Sequence, residues 1–198
     1  MQKIIKKIFN KKAPPVLIAE ISANHTGSIK KAKKLILTAK KNGADLVKLQ
    51  TYEPRNMTIN SSLKDFLVKD GLWKGYKLWD LYKEAQTPLK WQKELFNYSK
   101  KIKIPCFSTP YDDEGVNLLK KLNSKLYKVS SFEMKDSSLV KKICSIGKPV
   151  IISTGLANLK EISEVYKIAK KSGCKQLLLL YCVSSYPAKN TDFNLNNI

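Results

Sequence analysis

Six short apolar runs, each followed by polar residues and most of them by an amphipathic segment, constrain most strongly how this 198-residue chain can fold. The amphipathic segments have apolar residues at helical spacing, and Gly43, Gly147 and Gly173 end three of them as C-terminal glycines do. Strands that alternate with helices form right-handed βαβ units and a parallel sheet. The predicted strands are Val16–Ala19, Ala44–Gln50, Ile104–Ser108, Leu126–Val129, Pro149–Ser153 and Gln176–Tyr181.

These units predict an α/β fold, an incomplete (β/α)8 TIM barrel with about six βα units. A doubly wound sheet is the alternative, but it often carries a glycine-rich phosphate loop after its first strand, and this sequence has none there. A complete barrel needs about 250 residues, so we expect the last strands to be missing. We interpret residues 16–198 as the partial barrel domain. Residues 1–15 form a basic N-terminal segment, a short helix or strand on the barrel floor.

The positive charge of the chain is spread over its helical segments. The net charge is +21 with a pI near 9.8, which by itself favours nucleic acid or an anionic membrane as a partner. Nearly all basic residues are lysines in short pairs, and Arg55 is the single arginine, although arginine is best suited to bidentate phosphate and base recognition. We interpret the lysines as solvated helix faces that attract anionic substrates, and we expect no nucleic-acid or membrane partner.

The four cysteines have no CxxC spacing, and three of them lie in or beside apolar runs. Buried free thiols in a reducing cytoplasm are therefore expected. No apolar run is long enough to span a membrane, and the N-terminal segment lacks the features of a signal peptide. The predicted location is cytoplasmic.

The stretch from Thr51 to Thr87 is too long for an ordinary connection, and such insertions are often lids or binding loops. It carries five tyrosine and tryptophan residues. We favour a small satellite core as their role. These residues are Tyr52, Trp73, Tyr76, Trp79 and Tyr82.

Polar residues follow each predicted strand, and in a barrel these strand ends meet at the rim that carries active sites. Two lysines on separate strands, with hydroxyls and backbone N–H groups, suit an anion such as phosphate or carboxylate. Glu20 is a candidate acid, base or clamp for a substrate hydroxyl, or else half of a structural ion pair. The rim residues are Glu20, Asn24, Lys48, Gln50, Ser108, Thr109, Lys128, Ser131, Ser153, Thr154, Ser184 and Tyr186.

Two alternatives concern the same residues. Lys48 or Lys128 could form a Schiff base, as in aldolases, or pair structurally with nearby acids. His25 is the only histidine, so a multi-histidine metal site cannot form within this sequence. We interpret His25 as a hydrogen-bonded residue that fixes the first loop, and we predict no metal ligand in the chain.

Six motifs occur in order along the chain: IAEISANH, GADLVKLQTY, FSTPYD, YKVSSFE, KPVIISTG and CVSSYPA. Together they resemble the amino-terminal catalytic domain of the sialic acid synthases, which condense phosphoenolpyruvate with an amino sugar. The resemblance covers about Val16 to Pro187. Within that family, Gly71–Trp91 is most similar to the pseudaminic acid synthase branch.

The resemblance implies a transferase that joins phosphoenolpyruvate to a sugar of the 2,4-diacetamido-2,4,6-trideoxy-L-altrose type and releases phosphate by C–O cleavage. The product would be a nonulosonic, sialic-acid-like sugar. The alternatives are an N-acetylneuraminate or legionaminate synthase, or another barrel aldolase that uses phosphoenolpyruvate or pyruvate.

Residue roles are implied in the same way. Glu20, Lys48 and Lys128 match catalytic positions, Glu20 at the sugar end as an aid to proton transfer. Ser184 stands where the neuraminate branch usually has asparagine. The implied substrate-binding residues are Gln50, Thr109, Ser131, Ser153, Ser184 and Tyr186.

The resemblance also implies a divalent metal, Mn or Mg, that polarises the sugar aldehyde, no organic cofactor, and a homodimer. In the family, two metal-binding histidines lie beyond the SYP motif, together with the last barrel strands and a small antifreeze-like domain. We expect all of these beyond Ile198, and we therefore expect this piece alone to be inactive.

Overall fold

The computed structural model describes residues 1–185, 188–194 and 196, and the chain divides into two compact units, Met1–Ser124 (unit 1) and Lys125–Ile198 (unit 2). Unit 1 contains α1 (Gln2–Ile8), β1 (Ile18–Glu20), α2 (Ile29–Lys41), β2 (Leu46–Thr51), α3 (Pro54–Met57), a 3-10 turn (Lys64–Phe66), α4 (Leu78–Ala85), α5 (Leu89–Lys101), β3 (Cys106–Pro110) and α6 (Asp113–Lys121). Unit 2 contains β4 (Tyr127–Val129), a 3-10 turn (Glu133–Lys135), α7 (Ser137–Ser145), β5 (Val150–Ser153), α8 (Leu159–Lys171), β6 (Leu177–Leu180) and a 3-10 turn (Asn190–Asp192).

The strands within each unit are parallel and follow the order of the chain. In unit 1, β2 lies between β1 and β3. In unit 2, β5 lies between β4 and β6. A doubly wound sheet requires a reversal of strand order, whereas sequential parallel strands with intervening helices are typical of a barrel. The prediction of an incomplete (β/α)8 barrel with six strands is confirmed.

Local signals in the sequence placed most helix ends within one or two residues. Ser28 caps α2, and its Oγ accepts a hydrogen bond of 3.3 Å from the N–H of Lys31. Gly43 follows that helix with a φ of +87°, a conformation that glycine adopts without steric cost. Asn158 and Glu161 form a reciprocal capping box at the start of α8.

The core of unit 1 lies between its sheet and its helices. Val47 and Leu49 of β2 are fully buried against Ile36 of α2 and Leu95 of α5. Burying each such side chain stabilises the fold by about 1.5–3 kcal/mol. Because side chains alternate along a strand, the intervening polar residues of β2 point to the opposite face of the sheet.

The first predicted strand is less buried than expected. We predicted a fully buried strand over Val16–Ala19, but β1 begins at Ile18, and Leu17 is 59% exposed. The reason is that β1 pairs with β2 alone within the described residues, and an edge strand keeps one side accessible. An apolar run does not distinguish an edge strand from a central one. Strand β6 is also only partly buried.

The N-terminal segment forms helix α1 at the amino end of the unit 1 strands. Ile5 is buried, and the Nζ of Lys7 lies 3.5 Å from Oδ1 of Asp45, which directly precedes β2. The other oxygen of Asp45 accepts the N–H of Leu17 at 2.9 Å. This agrees with a short helix at the barrel floor, while the domain boundary at residue 15 stays a prediction. Among the described residues, no helix is long and apolar enough to cross a bilayer.

The predicted satellite core in the insertion is confirmed only in part. Tyr52 is buried, and its ring meets the edges of Tyr82 and Tyr111 at centroid distances of 6.1 and 5.3 Å. Trp73 and Tyr76 are exposed instead. They lie in an excursion closed by an isolated bridge between Leu67 and Lys77, and such a short loop has too few neighbours to bury them.

The cysteines have the predicted free state. Cys106, Cys144 and Cys174 are buried thiols, and Cys182 is half-buried. Burial raises the pKa of Cys106 to about 12, so this thiol is inert near neutral pH.

Candidate functional site

Unit 1 brings together Glu20, the last residue of β1, and Lys48, which lies within β2. The two residues are in register across the strand pair, and Lys48 Nζ forms an ion pair with Glu20 Oε2. The other carboxylate oxygen accepts the N–H of Ser22 at 2.9 Å. The Lys48 side chain is only 12% exposed and that of Glu20 is 37% exposed, so the pair is only partly screened by solvent.

Gln50 and Thr109 extend this face of the sheet. They are in register between β2 and β3, two residues beyond Lys48 and its partner Phe107. Thr109 is 1% exposed, and within residues 1–185, 188–194 and 196 its Oγ1 has no hydrogen-bond partner. A buried hydroxyl without a partner is costly, so Thr109 retains hydrogen-bonding capacity for a ligand.

Two partners hold Gln50. Its Nε2 donates to the hydroxyl of Tyr111 at 3.3 Å, and its backbone carbonyl accepts Gln92 Nε2 at 2.8 Å. Tyr111 lies directly after β3, and its N–H donates to the carbonyl of Thr51 at 3.3 Å. The amide of Gln50 is therefore oriented by the strand that follows it in the sheet.

His25 fixes the first loop, as predicted. It is 0% exposed, its Nδ1 accepts the N–H of Gly27 at 3.2 Å, and its Nε2 lies 3.4 Å from Thr87 Oγ1. Its ring also meets that of Trp91 edge to face at 5.5 Å. An accepting Nδ1 assigns the neutral tautomer with the proton on Nε2. Burial lowers the pKa of His25, which favours the same neutral form.

Unit 2 places Lys128 on β4 in a desolvated environment. Burial lowers the pKa of Lys128, while nearby Cys182 and Glu133 oppose the shift. Burial raises the pKa of Glu133, although a backbone N–H and Lys128 both favour its ionised form. In the part of the chain that the structure describes, the Oε2 of Glu133 and the Oγ of Ser130 are buried without a hydrogen-bond partner.

A second group in unit 2 surrounds Gly155. The Oγ of Ser131 accepts the N–H of Gly155 at 3.2 Å. Ser184 lies against the same glycine, since a Cβ added at Gly155 would collide with Ser184 Oγ and lie 2.7 Å from the carbonyl oxygen of Cys182. Ser153 is buried at the end of β5. Polar side chains therefore lie at, or shortly after, the carboxyl end of each of the three unit 2 strands.

Comparison with known proteins identifies the family. The model of the NeuB family matches residues 35–198 of this chain. The chain belongs to the NeuB family. This agrees with the family resemblance that the sequence motifs indicated.

Two similar relatives are pseudaminic acid synthases. That of Campylobacter jejuni serotype O:2 is 42% identical over 190 residues, which cover 96% of this chain and 55% of the relative. That of Helicobacter pylori is 40% identical over 182 residues, which cover 92% of this chain and 54% of the relative. The chain spans about half the length of the curated relatives it matches.

A solved NeuB-type structure has the same fold. The crystal structure of N-acetylneuraminic acid synthetase from Leptospira borgpetersenii, in complex with citrate, matches with a TM-score of 0.80 and 31% identity. The match covers 93% of this chain and 60% of that chain. It supports assignment of the six strands to an incomplete barrel.

The structure places most of the predicted site residues at strand ends. Unit 1 holds Glu20, Lys48, Gln50 and Thr109, and unit 2 holds Lys128, Ser131, Ser153 and Ser184. Tyr186 lies outside the described residues. Thr51 and Ser108 form a buried hydroxyl pair at 2.6 Å, which gives Ser108 a structural partner. Their functional roles stay predictions.

The divalent metal implied by the resemblance has no complete ligand set here. Among the described residues, no three His, Cys, Asp or Glu side chains cluster in a way that could hold a metal ion. Glu20 is occupied by Lys48 and the N–H of Ser22, and His25 is turned into the protein by its hydrogen bonds. The described residues therefore do not fit a metal centre by themselves.

Sequence reasoning missed two residues of these groups. Glu133 lies five positions after Lys128, and nothing in the sequence of this turn indicated that its carboxylate would be buried. Tyr111 follows Thr109 by two positions, which places both on one face of an extended strand. That spacing is the one signal that could have identified Tyr111, once Thr109 was chosen.

Proposed function

We propose that this chain carries phosphoenolpyruvate- and sugar-binding residues of a nonulosonate synthase of the pseudaminic acid synthase type. The reaction would join phosphoenolpyruvate to 2,4-diacetamido-2,4,6-trideoxy-L-altrose and release phosphate by C–O cleavage. The observation that carries the proposal is the setting of its two lysines. Lys48 lies within β2 in an ion pair with Glu20, and Lys128 lies within β4 near Glu133, so both are on parallel strands and not on a solvated helix face.

Each group has a role that its chemistry suits. Phosphoenolpyruvate carries a phosphate and a carboxylate, and partly buried ammonium groups bind such anions by charge-assisted hydrogen bonds. The hydroxyls of Thr109 and Ser131 and the buried Ser153 add further donors. Glu20, held between Lys48 and the N–H of Ser22, is positioned to accept or deliver a proton at the sugar end.

The names of the relatives support the sugar class. Both similar curated relatives are pseudaminic acid synthases, at 42% and 40% identity. The solved neighbour acts in the synthesis of a related sugar acid, as its name states, but at 31% identity. We therefore favour the diacetamido sugar over the neuraminate precursor. The divalent metal, the homodimer and the cytoplasmic location stay predictions.

Binding of phosphoenolpyruvate is the first test, because it can be measured with the 198-residue chain whether or not the chain turns over. Isothermal titration should show one site per chain that is weakened when Lys128 is changed to methionine. Absence of binding at millimolar phosphoenolpyruvate would contradict the proposal.

The bond that breaks is a second test wherever turnover is observed. With ¹⁸O in the bridging C–O–P oxygen of phosphoenolpyruvate, C–O cleavage leaves the label in the released phosphate. Label retained in the organic product would mean P–O cleavage and a different reaction class.

A Schiff-base aldolase is the second candidate, and one observation favours it. Burial lowers the pKa of Lys128, which increases the fraction of neutral amine that can attack a carbonyl. Borohydride reduction in the presence of pyruvate would trap a covalent adduct at Lys128. We expect no adduct, and an adduct found by peptide mass analysis would replace the synthase proposal.

A further inference from the structure

We propose that Tyr111 is a positioning residue that sets the side-chain amide of Gln50 to select an acetamido group of the sugar. The inference rests on the proposed function, and it assigns a specificity role to a residue of the FSTPYD motif for which the family resemblance implied none. Tyr111 acts through Gln50 and is not itself proposed to touch the substrate.

The first step is the hydrogen bond between the two side chains. Gln50 Nε2 donates to the Tyr111 hydroxyl at 3.3 Å. The bond uses one of the two N–H groups of the amide and determines which way its carbonyl faces. Gln50 thereby presents a second N–H and a carbonyl oxygen in a set direction, on the face of the sheet that carries Lys48 and Thr109.

The second step is that Tyr111 is itself held in place. Its N–H donates to the carbonyl of Thr51 at 3.3 Å, and its ring packs edge to face on Tyr52 at 5.3 Å. Tyr52 is buried, and its hydroxyl donates to the carbonyl of Tyr82 at 3.3 Å. Edge-to-face pairs of this kind stabilise the arrangement beyond area burial. The Tyr111 side chain is therefore held by its backbone hydrogen bond to Thr51, by ring packing on Tyr52 and, through Tyr52, by Tyr82 of the insertion.

The third step is the position of Gln50 on its strand. Its carbonyl accepts Gln92 Nε2 from α5 at 2.8 Å, so both the backbone and the side chain of Gln50 are fixed before a ligand arrives. Ordering a glutamine side chain at binding costs conformational entropy. A preset amide avoids that cost.

The fourth step is chemical complementarity. An amide with one N–H and one carbonyl directed outward matches another amide, donor to acceptor and acceptor to donor. The acetamido groups of the proposed sugar are amides, whereas phosphoenolpyruvate has only acceptor oxygens when it is ionised. The Tyr111–Gln50 pair should therefore affect sugar affinity and leave phosphoenolpyruvate affinity unchanged.

Tyrosine-to-phenylalanine changes test this with a matched control. Tyr111→Phe removes the hydroxyl that holds Gln50 and keeps the ring, while Tyr52→Phe removes a hydroxyl from the same aromatic group that does not contact Gln50. Both variants would be made in the 198-residue chain. The probes are phosphoenolpyruvate, the 2,4-diacetamido sugar with phosphoenolpyruvate saturating, and a 2-acetamido sugar that lacks the second amide. The Gln50 side-chain amide signals in ¹⁵N NMR, assigned by Gln50→Leu, report its orientation directly.

We expect Tyr111→Phe to weaken binding of the diacetamido sugar about 2- to 10-fold, the range of one net hydrogen bond. It should shift the Gln50 amide signals and leave phosphoenolpyruvate affinity at the wild-type value. Tyr52→Phe should leave diacetamido-sugar affinity, the Gln50 amide signals and phosphoenolpyruvate affinity unchanged.

Three outcomes would overturn the inference. The first is a Tyr111→Phe variant with wild-type sugar affinity and unmoved Gln50 signals. The second is an equal loss in both variants, which would mean that removing either hydroxyl disturbs the aromatic group as a whole and that the contact with Gln50 has no specific effect. The third is that the wild type binds phosphoenolpyruvate but neither sugar, even though Tyr111→Phe shifts the Gln50 signals. Failure of the proposed function looks different, because the wild type would then bind neither phosphoenolpyruvate nor sugar.

Discussion

Lys48 in unit 1 and Lys128 in unit 2 occupy the same kind of position in the sequence pattern but lie in different electrostatic surroundings. Lys48 is neutralised by a direct ion pair with Glu20. Lys128 has Glu133 nearby, but the Oε2 of Glu133 is buried without a hydrogen-bond partner within the described residues. Burial lowers the pKa of Lys128 and raises the pKa of Glu133, so both charged forms are disfavoured.

The difference shows which lysine has more to gain from an anion. A ligand at Lys48 must compete with a carboxylate that is already bound. A ligand at Lys128 would stabilise an ammonium group whose pKa is lowered by burial. We therefore expect the Lys128 group of unit 2 to bind phosphoenolpyruvate more tightly than the Lys48 group of unit 1.

The largest expected effect is on phosphoenolpyruvate affinity. Lys128→Met should weaken it about 10- to 100-fold, since a hydrogen bond to a charged group contributes about 1.5–3 kcal/mol. Lys48→Met should weaken it only a few-fold. Lys34→Met, on the exposed side of α2, measures the effect of losing one surface charge. Titration calorimetry of the three variants measures these affinities. A larger loss of phosphoenolpyruvate affinity for Lys48→Met than for Lys128→Met would contradict the expected ranking of the two lysines.

Glycine substitutions should show how unit 2 supports its lysine. Gly155→Ala would place a Cβ against Ser184 and 2.7 Å from the carbonyl oxygen of Cys182. We expect a loss of about 1–3 kcal/mol in the free energy of unfolding, as for other overpacked sites, and weaker phosphoenolpyruvate binding because Ser131 bonds to this N–H.

Gly147→Ala is the matched control in the same unit. Its φ is +72° and nothing lies within 4 Å of an added Cβ, so it carries backbone strain without a collision. Urea unfolding measures the loss of stability and titration calorimetry measures phosphoenolpyruvate binding, so together they separate the effect of backbone strain from that of the collision. Unchanged phosphoenolpyruvate binding in Gly155→Ala would mean that the loop around this glycine is not part of the site.

The sequence predicted the fold well because its signals are local. The amphipathic pattern of Leu89–Lys101 follows a proline and predicts a helix over the residues that α5 occupies. Parallel pairing follows from the alternation of strands and helices, whereas the sequential strand order depends on how the strands pair. The exposure of β1 could not be predicted, because it depends on which strands pair with it and not on its own residues.

The site was predicted by residue type and position, but not by its electrostatics. Glu20 and Lys48 were both candidates, yet their pairing depends on the register of β1 on β2, which neither strand specifies alone. The same applies to Gln50 and Tyr111, which are 61 positions apart. The burial of Glu133 is likewise a property of its packing, so a motif search finds the residue and misses its altered pKa.

A double-mutant cycle should separate the two lysines by stability. Lys48→Met leaves Glu20 unpaired, and we expect a coupling free energy of about 1 kcal/mol with Glu20→Gln, between the values for exposed and buried pairs. Lys128→Met removes a desolvated charge, so its free energy of unfolding should be unchanged or higher. Urea denaturation measures both. A strongly destabilised Lys128→Met variant would show that Glu133 already compensates the ammonium group.

The smallest expected effect is the pH dependence of stability, and it has opposite signs in the two units. Burial lowers the pKa of His25, so below about pH 6.5 the unfolded chain takes up a proton that the folded chain resists, and stability falls on acidification. Burial raises the pKa of Glu133, so its contribution is present at low pH and is lost as the pH rises through the folded pKa.

Urea unfolding between pH 7.5 and 5.5 tests this with one variant from each unit. His25→Gln should flatten the loss of stability on acidification, because His25 is the only histidine. Glu133→Gln should make that loss steeper, because the opposing contribution is gone. Cys174, whose pKa is lowered by the neighbouring Cys144, remains in both variants, so its titration cancels in the comparison. Equal slopes in the two variants would mean that burial affects the two groups alike, and the contrast between the units would then rest on the lysines alone.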